Sequence, residues 1–163
     1  MHGWRSRIAL IALVGLVAGA FLVVPGSAGN SGGIKLTGAA EVPGPGDPDG
    51  SGRAGIKLRI GDERVCFDLR WNKLDPATAA HIHAGAKDEA GPPVVTLFLA
   101  GESGLQTLSE TRTRLRGCSE SFAPPEGTTV AELLRDIKDN RNDYYVNLHS
   151  TEFPAGAIRG QMK

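Results

Sequence analysis

The sequence predicts a mainly β fold, an antiparallel sandwich or barrel that carries one short helix. Apolar and polar residues alternate in several short segments, as they do in strands that have one buried face. Turns separate these segments and are rich in Gly and Pro, of which the 163-residue chain has 22 and 10. A helical periodicity occurs in a single segment. Many short strands with one helix are typical of an antiparallel all-β domain.

Residues 1–28 have the three-part layout of a secretory signal. Arg5 and Arg7 precede an uninterrupted apolar run of 17 residues, 8–24, and a Pro-Gly-Ser-Ala segment then breaks it. This layout predicts cleavage after Ala28. The alternative is an uncleaved membrane anchor, since a run of this length is near the lower limit for crossing a bilayer. In both cases we expect the rest of the chain to be secreted, extracellular or in the cell envelope, with membrane contact only through an uncleaved signal.

Residues 29–33 read as a flexible glycine-rich linker, and residues 34–163 as one domain. Removal of Arg5 and Arg7 from the 18 basic residues leaves 16 against 18 acidic ones, a net charge of −2. No basic block survives in the domain, which argues against nucleic acid as a partner.

Cys66 and Cys118 are the only cysteines. An even number in an exported chain predicts one disulfide, and the alternative is two free thiols. Closing a loop of about 50 residues stabilises a fold by roughly 3–4 kcal/mol in the chain-entropy model. A thiolate metal site is disfavoured because the two residues lie far apart and no CxxC pattern is present.

The strand predictions follow from alternation or from short apolar runs between turns. The clearest alternation is in residues 53–60 and 64–71, which the turn Gly61-Asp62-Glu63 joins as a hairpin. The other predicted strands are residues 34–36, 79–84, 94–99, 111–122, 144–150 and 157–162.

One short helix is predicted near residues 130–139. Thr129 and Glu132 have the spacing of a capping box. An apolar face follows at positions i, i+3, i+4 and i+7, formed by Val130, Leu133, Leu134 and Ile137. The helix is expected to end near Asn140 and to lie against one end of the β core.

Three histidines are the candidate site residues. His81 and His83 alternate in one predicted strand, so their side chains are expected on the same face, and His149 lies in another strand. Three imidazoles can hold one Zn or Cu ion, or they can be hydrogen-bonding elements of the fold. In the metal hypothesis, Asn147 shares a face with His149 and is a candidate partner for its second ring nitrogen. Glu41 and Glu152 are candidates for a fourth ligand.

Arg159 lies in the apolar last strand and needs a partner if it is buried. Glu41 or Asp68 is expected to form that ion pair, as part of the architecture rather than of any chemistry.

Several blocks of the sequence, in this order and spacing, resemble a CHRD domain, the module named after chordin. The resemblance covers nearly all of residues 34–163. The blocks are Leu36-Thr37-Gly38 with Glu41-Val42-Pro43, Ala80-His81-Ile82-His83-Ala84-Gly85, Tyr144-Tyr145-Val146-Asn147-Leu148-His149-Ser150, and Phe153-Pro154-Ala155-Gly156-Ala157-Ile158-Arg159-Gly160-Gln161.

The resemblance implies an extracellular, β-rich domain of poorly understood function. It also implies a Greek-key architecture with a faint likeness to copper/zinc superoxide dismutase. That enzyme's dinuclear site needs six histidines and an aspartate, whereas the chain has 4 histidines, of which His2 lies in the signal. Dismutase chemistry of that type is therefore excluded, and no nucleophile motif points to another enzyme.

The expected function is that of a secreted binding or structural module. Its partner would be an unknown extracellular protein or surface ligand, and no cofactor is certain. The alternative is a mononuclear metal-binding protein that holds one Cu or Zn ion through His81, His83 and His149.

Overall fold

The strands of the domain pair into one continuous antiparallel sheet. The computed structural model describes residues 33–101, 111 and 113–163, so the predicted signal and all of the predicted linker except Gly33 lie outside the described residues. Within the described part, nine strands, one α-helix (α1) and three short 3-10 helices are present. The strands β1 to β9 are Ile34–Thr37, Ser51–Arg59, Arg64–Asn72, Ala77–Ala84, Pro93–Leu99, Arg114–Ser119, Ser121–Phe122, Tyr144–Ser150 and Ile158–Gln161. Helix α1 is Val130–Asp139, and the 3-10 helices are Gly38–Ala40, Ile60–Asp62 and Arg141–Asp143.

The strand order is β6-β3-β2-β1-β9-β8-β4-β5-β7. The two edge strands, β6 and β7, are separated in sequence only by Glu120, so the chain itself joins the two edges. Ser119 at the end of β6 also donates a hydrogen bond from Oγ to the carbonyl oxygen of Thr96 in β5. The sheet therefore forms a nearly closed barrel, which confirms the predicted mainly β antiparallel fold.

The barrel interior holds the apolar residues that alternate along the strands. In β3, Val65, Phe67, Leu69 and Trp71 are buried, and the residues between them are more exposed. Strands β4, β8 and β9 contribute a second set of buried apolar residues, among them Ile82, Val146, Leu148 and Ile158. Period-two alternation therefore leaves the opposite face of these three strands to polar residues.

Helix α1 begins and packs as its sequence predicts. Thr129 Oγ1 accepts a hydrogen bond from the backbone nitrogen of Glu132, and Glu132 Oε2 accepts one from the backbone nitrogen of Thr129. Leu133, Leu134 and Ile137 are buried in the same core cluster as the strands. The helix contacts the Ile60–Asp62 turn at the end of β2, so it covers one end of the barrel core. No helix in the described part of the chain is long and apolar enough to cross a membrane.

One strand prediction needs correction, and the predicted hairpin of β2 and β3 is present with a turn of a specific form. The predicted strand over 111–122 is two strands, β6 and β7, because Ser119 Oγ accepts a hydrogen bond from the nitrogen of Ser121 and turns the chain at Glu120. The predicted turn at 61–63 is a 3-10 helix over Ile60–Asp62, followed by Glu63 at φ 45°.

The predicted disulfide between Cys66 and Cys118 is present, with a sulfur–sulfur distance of 2.05 Å. The two residues lie directly opposite each other in the antiparallel pair β3 and β6. Because β6 is an edge strand, the bridge fastens it to the sheet.

Candidate metal centre

A polar face lies on the outside of strands β4, β8 and β9. His81 on β4, Asn147 on β8, Arg159 on β9 and Thr37 on β1 are successive partners in the strand register, so they form one row across four strands. His83, Tyr145 and Gln161 form the adjacent row, and His149 lies opposite Ala79. We call these outward residues of the three strands the polar face: His81, His83, Tyr145, Asn147, His149, Arg159 and Gln161.

Loops cover much of the polar face, so several of its side chains are buried although they point away from the barrel core. Asn147 and Arg159 are each 2% exposed, and His83 is 9% exposed. The loop after β4 contributes carbonyl oxygens of Ala86 and Gly91, and the loop before β9 contributes that of Pro154. A buried polar layer of this kind needs partners for each of its polar atoms.

The three predicted histidines come together on this face. Nitrogen atoms from His81, His83 and His149 all lie within 4.8 Å of one another. His81 Nδ1 lies 3.1 Å from His149 Nε2. Ligands at about 2.1 Å from one ion are roughly 3–4 Å apart. The His81–His149 pair thus has the spacing of shared coordination, and the ligand nitrogen of His83 lies within 4.8 Å of both.

Backbone carbonyls fix the orientation of two of the rings. His83 Nδ1 lies 2.8 Å from the carbonyl oxygen of Gly91, and His149 Nδ1 lies 3.0 Å from that of Pro154. A carbonyl oxygen only accepts, so each Nδ1 carries the proton and each Nε2 keeps its lone pair. This second-ring-nitrogen contact is the arrangement of metal-ligating histidines.

The Nε2 atom of His83 is buried and has no hydrogen-bond partner. The Nε2 atom of His149 accepts from His81, whose Nδ1 proton then lies between the two rings. A metal ion that binds both nitrogens would take the place of this proton.

Burial lowers the pKa of all three imidazoles. The pKa of His81 falls to about 4, chiefly because the ring is buried and then because His149 and His83 would repel its positive charge. Burial also lowers the pKa of His83 and His149, although the carbonyls of Gly91 and Pro154 oppose the shift. The three rings are therefore neutral at pH 7, the form that binds metals.

The structure changes the expected partners of the histidines. The second ring nitrogen of His149 bonds to Pro154 rather than to Asn147, whose Oδ1 has no partner. Among the described residues, no carboxylate joins the group of converging ligand atoms, so neither Glu41 nor Glu152 completes it. The neighbouring carboxyl of Asp75 instead raises the pKa of Glu152.

Tyr145 links the histidines to Arg159. The ring of His83 stacks on that of Tyr145, and Arg159 Cζ lies 3.4 Å from the centroid of the tyrosine ring. Because β4 and β9 flank β8 on opposite sides, the imidazole and the guanidinium approach Tyr145 from opposite sides. Tyr145 was not predicted as a site residue, although its alternation with Asn147 and His149 indicates that it shares their face.

Arg159 forms no ion pair within 4.0 Å with either of its predicted partners, Glu41 and Asp68. Asp68 is paired with Arg114, Arg116 and Arg70, so it is not the partner. Arg159 Nη2 donates to the carbonyl oxygen of Ala86, while Arg159 Nη1 and Glu41 Oε1 have no hydrogen-bond partner.

Glu41 and Arg159 act on each other at longer range than a hydrogen bond. Burial raises the pKa of Glu41 to about 7, and the positive charge of Arg159 opposes that rise. The ring of Tyr145 and the carbonyl of Ala86 hold the guanidinium where it is, which explains why the direct pair is not made.

The comparisons with known proteins support a family assignment. A model of the CHRD domain matches residues 33–162. No curated protein and no solved structure matches the chain. The match covers nearly the whole chain, and it includes the histidine strands and the last strand described above. The chain therefore belongs to the CHRD domain family.

Proposed function

We propose that this chain is a secreted CHRD module that binds one Zn or Cu ion through His81, His83 and His149. Membership of an extracellular type of module and the Cys66–Cys118 disulfide both support an exported protein. The observation that carries the metal hypothesis is the convergence of three imidazoles whose ligand nitrogens lie within 4.8 Å of one another.

The alternative, in which the histidines only hold the fold together, explains less of the geometry. It accounts for the bond between His81 and His149 and for the two carbonyl contacts. It leaves His83 Nε2 buried with no hydrogen bond of normal geometry, although the side chain of Asn147 interacts with His83 and opposes the lowering of its pKa by burial. Such an atom costs about 1–3 kcal/mol, which a bound metal would offset.

The ligand type indicates which metals the site would select. Three neutral imidazoles suit Zn and Cu, whereas Ca²⁺ and Mg²⁺ prefer oxygen ligands. With three protein ligands, a coordination position would remain open to water or to another ligand, as in zinc sites that exchange a ligand. In the described part of the chain no carboxylate converges with the three histidines, so the proposal is binding and not catalysis.

The net charge of the exported chain indicates the kind of partner. The whole chain has 18 basic and 18 acidic residues, and loss of Arg5 and Arg7 with the signal leaves a net charge of −2. This slightly acidic charge favours an extracellular protein or surface ligand over nucleic acid as the partner.

Calorimetric titration tests the metal proposal. Zn²⁺ and Cu²⁺ are titrated separately into the exported protein after chelation, and into a variant with all three histidines changed to Ala. We expect one ion per chain with a dissociation constant below about 100 μM, and loss of that binding in the triple variant. Glu152→Gln, which changes an exposed carboxylate two residues beyond the His149 strand, serves as the matched control and should bind normally. Absent binding, or equal binding in the triple variant, would overturn the proposal.

A further inference from the structure

A groove of about 690 Å³ lies beside β1 and β9, away from the histidines. Its polar and charged lining residues include Lys35, Thr37, Lys87, Arg159, Gln161 and Lys163. None of the three histidines lines it. The groove therefore adjoins the polar face, with which it shares Arg159 and Gln161, but it does not include the histidines. We call it the basic groove.

The side chains that line the basic groove carry an excess of positive charge. Four of them are cationic, Lys35, Lys87, Arg159 and Lys163, and one is acidic, Asp88. Asp88 lies 3.8 Å from Lys87, and both side chains are at least 80% exposed. An exposed pair of this kind is weak and leaves Lys87 free to bind elsewhere. In the described part of the chain, Lys35 and Lys163 form no ion pair.

Arg159 is the buried member of this set and lacks a counterion. Its side chain is almost fully buried, its Nη1 has no hydrogen-bond partner, and no described carboxylate lies within ion-pair distance of it. The stacked ring of Tyr145 offsets part of the cost of burying this charge. A buried cation without an anion nonetheless remains costly.

Glu41 does not remove that cost at neutral pH. Its Oε1 is not hydrogen-bonded, and burial raises the pKa of the carboxyl to about 7, so only part of the population is ionised. The region around Arg159 therefore has a deficit of negative charge that a bound anion would correct.

We propose that the basic groove binds an oxyanion: a phosphate, sulfate or carboxylate group. Arg159 lies at its buried side, and an arginine guanidinium carries a planar fork of N–H donors that matches such a group. The three exposed lysines supply point charges around it. Neutral ligands gain nothing from this arrangement, and cationic ligands are repelled. The inference does not depend on metal binding, since no histidine lines the groove.

Titration of oxyanions into the exported protein tests this assignment. The probes are inorganic phosphate, sulfate and glycerol phosphate, each at constant ionic strength, with chloride replacing the probe in the blank. Binding is measured by calorimetry on wild type and on Lys35→Gln/Lys163→Gln. Both lysines are exposed, so this variant is expected to fold normally. We expect saturable binding, weakened about tenfold in the double variant.

Lys57→Gln is the matched control, since Lys57 is an exposed strand lysine that does not line the groove. Its binding should equal that of wild type. No saturable binding of any probe, or an equal loss in Lys57→Gln, overturns the proposal. If glycerol phosphate binds at least as tightly as inorganic phosphate, the phosphate that the groove recognises is part of a larger ligand. If only phosphate and sulfate bind, the ligand is the free ion.

Arg159→Lys keeps the charge and removes the planar fork. We expect weaker phosphate binding in this variant with an unchanged circular dichroism spectrum; unchanged binding would remove Arg159 from the site. The titrations are repeated on the triple histidine variant of the metal experiment. Phosphate binding that persists there, whatever the outcome with Zn²⁺, separates this inference from the proposed metal function.

Discussion

The imidazole of His83 lies flat against the ring of Tyr145, with ring centroids 4.7 Å apart and planes 11° apart. The opposite side of the tyrosine ring carries the guanidinium of Arg159. One aromatic ring thus positions a candidate metal ligand on one side and the buried cation of the basic groove on the other.

Replacement of Tyr145 by Leu should therefore weaken both the fold and the metal site. The change removes a buried ring with its stacking and cation–π contacts, and we expect a loss of about 2–4 kcal/mol in the free energy of unfolding. Urea unfolding measures this loss, and calorimetry should show weaker Zn²⁺ binding. Tyr145→Phe is the control, because the hydroxyl makes only two long contacts of 3.3 Å to Gly91 and the ring is kept. If the Leu and Phe variants have the same free energy of unfolding and the same Zn²⁺ affinity, the ring of Tyr145 stabilises neither the fold nor the metal site.

The disulfide should contribute to stability through the denatured state. The cysteines are 52 residues apart in sequence, so loss of the bridge frees a long loop and is expected to lower the free energy of unfolding by roughly 3–4 kcal/mol. Cys66→Ala/Cys118→Ala, unfolded in guanidinium, gives this value. As a control, wild type under a thiol reductant should approach the variant's midpoint. A change below about 1 kcal/mol would mean that the pairing of β3 with β6 already restrains the chain.

Periodicity was sufficient to predict most of the fold. Strand β3 follows the alternation that predicts it almost residue by residue, because one of its faces is buried in the barrel. Helix α1 begins directly after its N-cap Thr129, as predicted, because the capping box is a local hydrogen-bond pattern that depends on two residue types. The break at Glu120 was missed because Ser119 Oγ bonds both to the nitrogen of Ser121 and to Thr96, and Thr96 belongs to another strand.

The three histidines of the candidate metal centre could be chosen from the sequence, but the contacts that bring them together and orient their rings could not. Alternation placed His81 and His83 on one face, whereas their proximity to His149 depends on β4 pairing with β8. The partners that orient the rings are carbonyl oxygens of Gly91 and Pro154, and every residue has such an oxygen, so no side-chain pattern identifies them. Arg159 was expected to pair with an acid and instead contacts Tyr145, since a ring can also stabilise a cation.

Gly156 should not tolerate a side chain. Its φ is 146°, in a region that L residues rarely adopt, and a Cβ there would lie 2.6 Å from Glu41 Oε2. Both the backbone strain and the contact with a buried carboxyl predict that Gly156→Ala lowers the free energy of unfolding by about 1–3 kcal/mol. Gly61→Ala is the matched control, because nothing lies within 4 Å of a Cβ at that position. Thermal unfolding that ranks the two variants equally would contradict this account.

The stability of the protein should depend on the titration of Glu41. Burial raises the pKa of this carboxyl from 4.5 to about 7 in the folded state, so between these values the folded chain retains a proton that the unfolded chain has lost. The native state then binds more protons, and the contribution of Glu41 to the free energy of unfolding falls as the pH rises from 4.5 to about 7 and is constant above that. Glu41→Gln imitates the protonated form and cannot titrate, so the variant should gain stability relative to wild type across this interval and keep a constant difference at higher pH. Urea midpoints of both proteins, measured in parallel every half pH unit, test the sign. A difference that does not change with pH would show that folding leaves the pKa of Glu41 unchanged, and one that shrinks as the pH rises would show that Arg159 holds the carboxyl ionised in the folded protein.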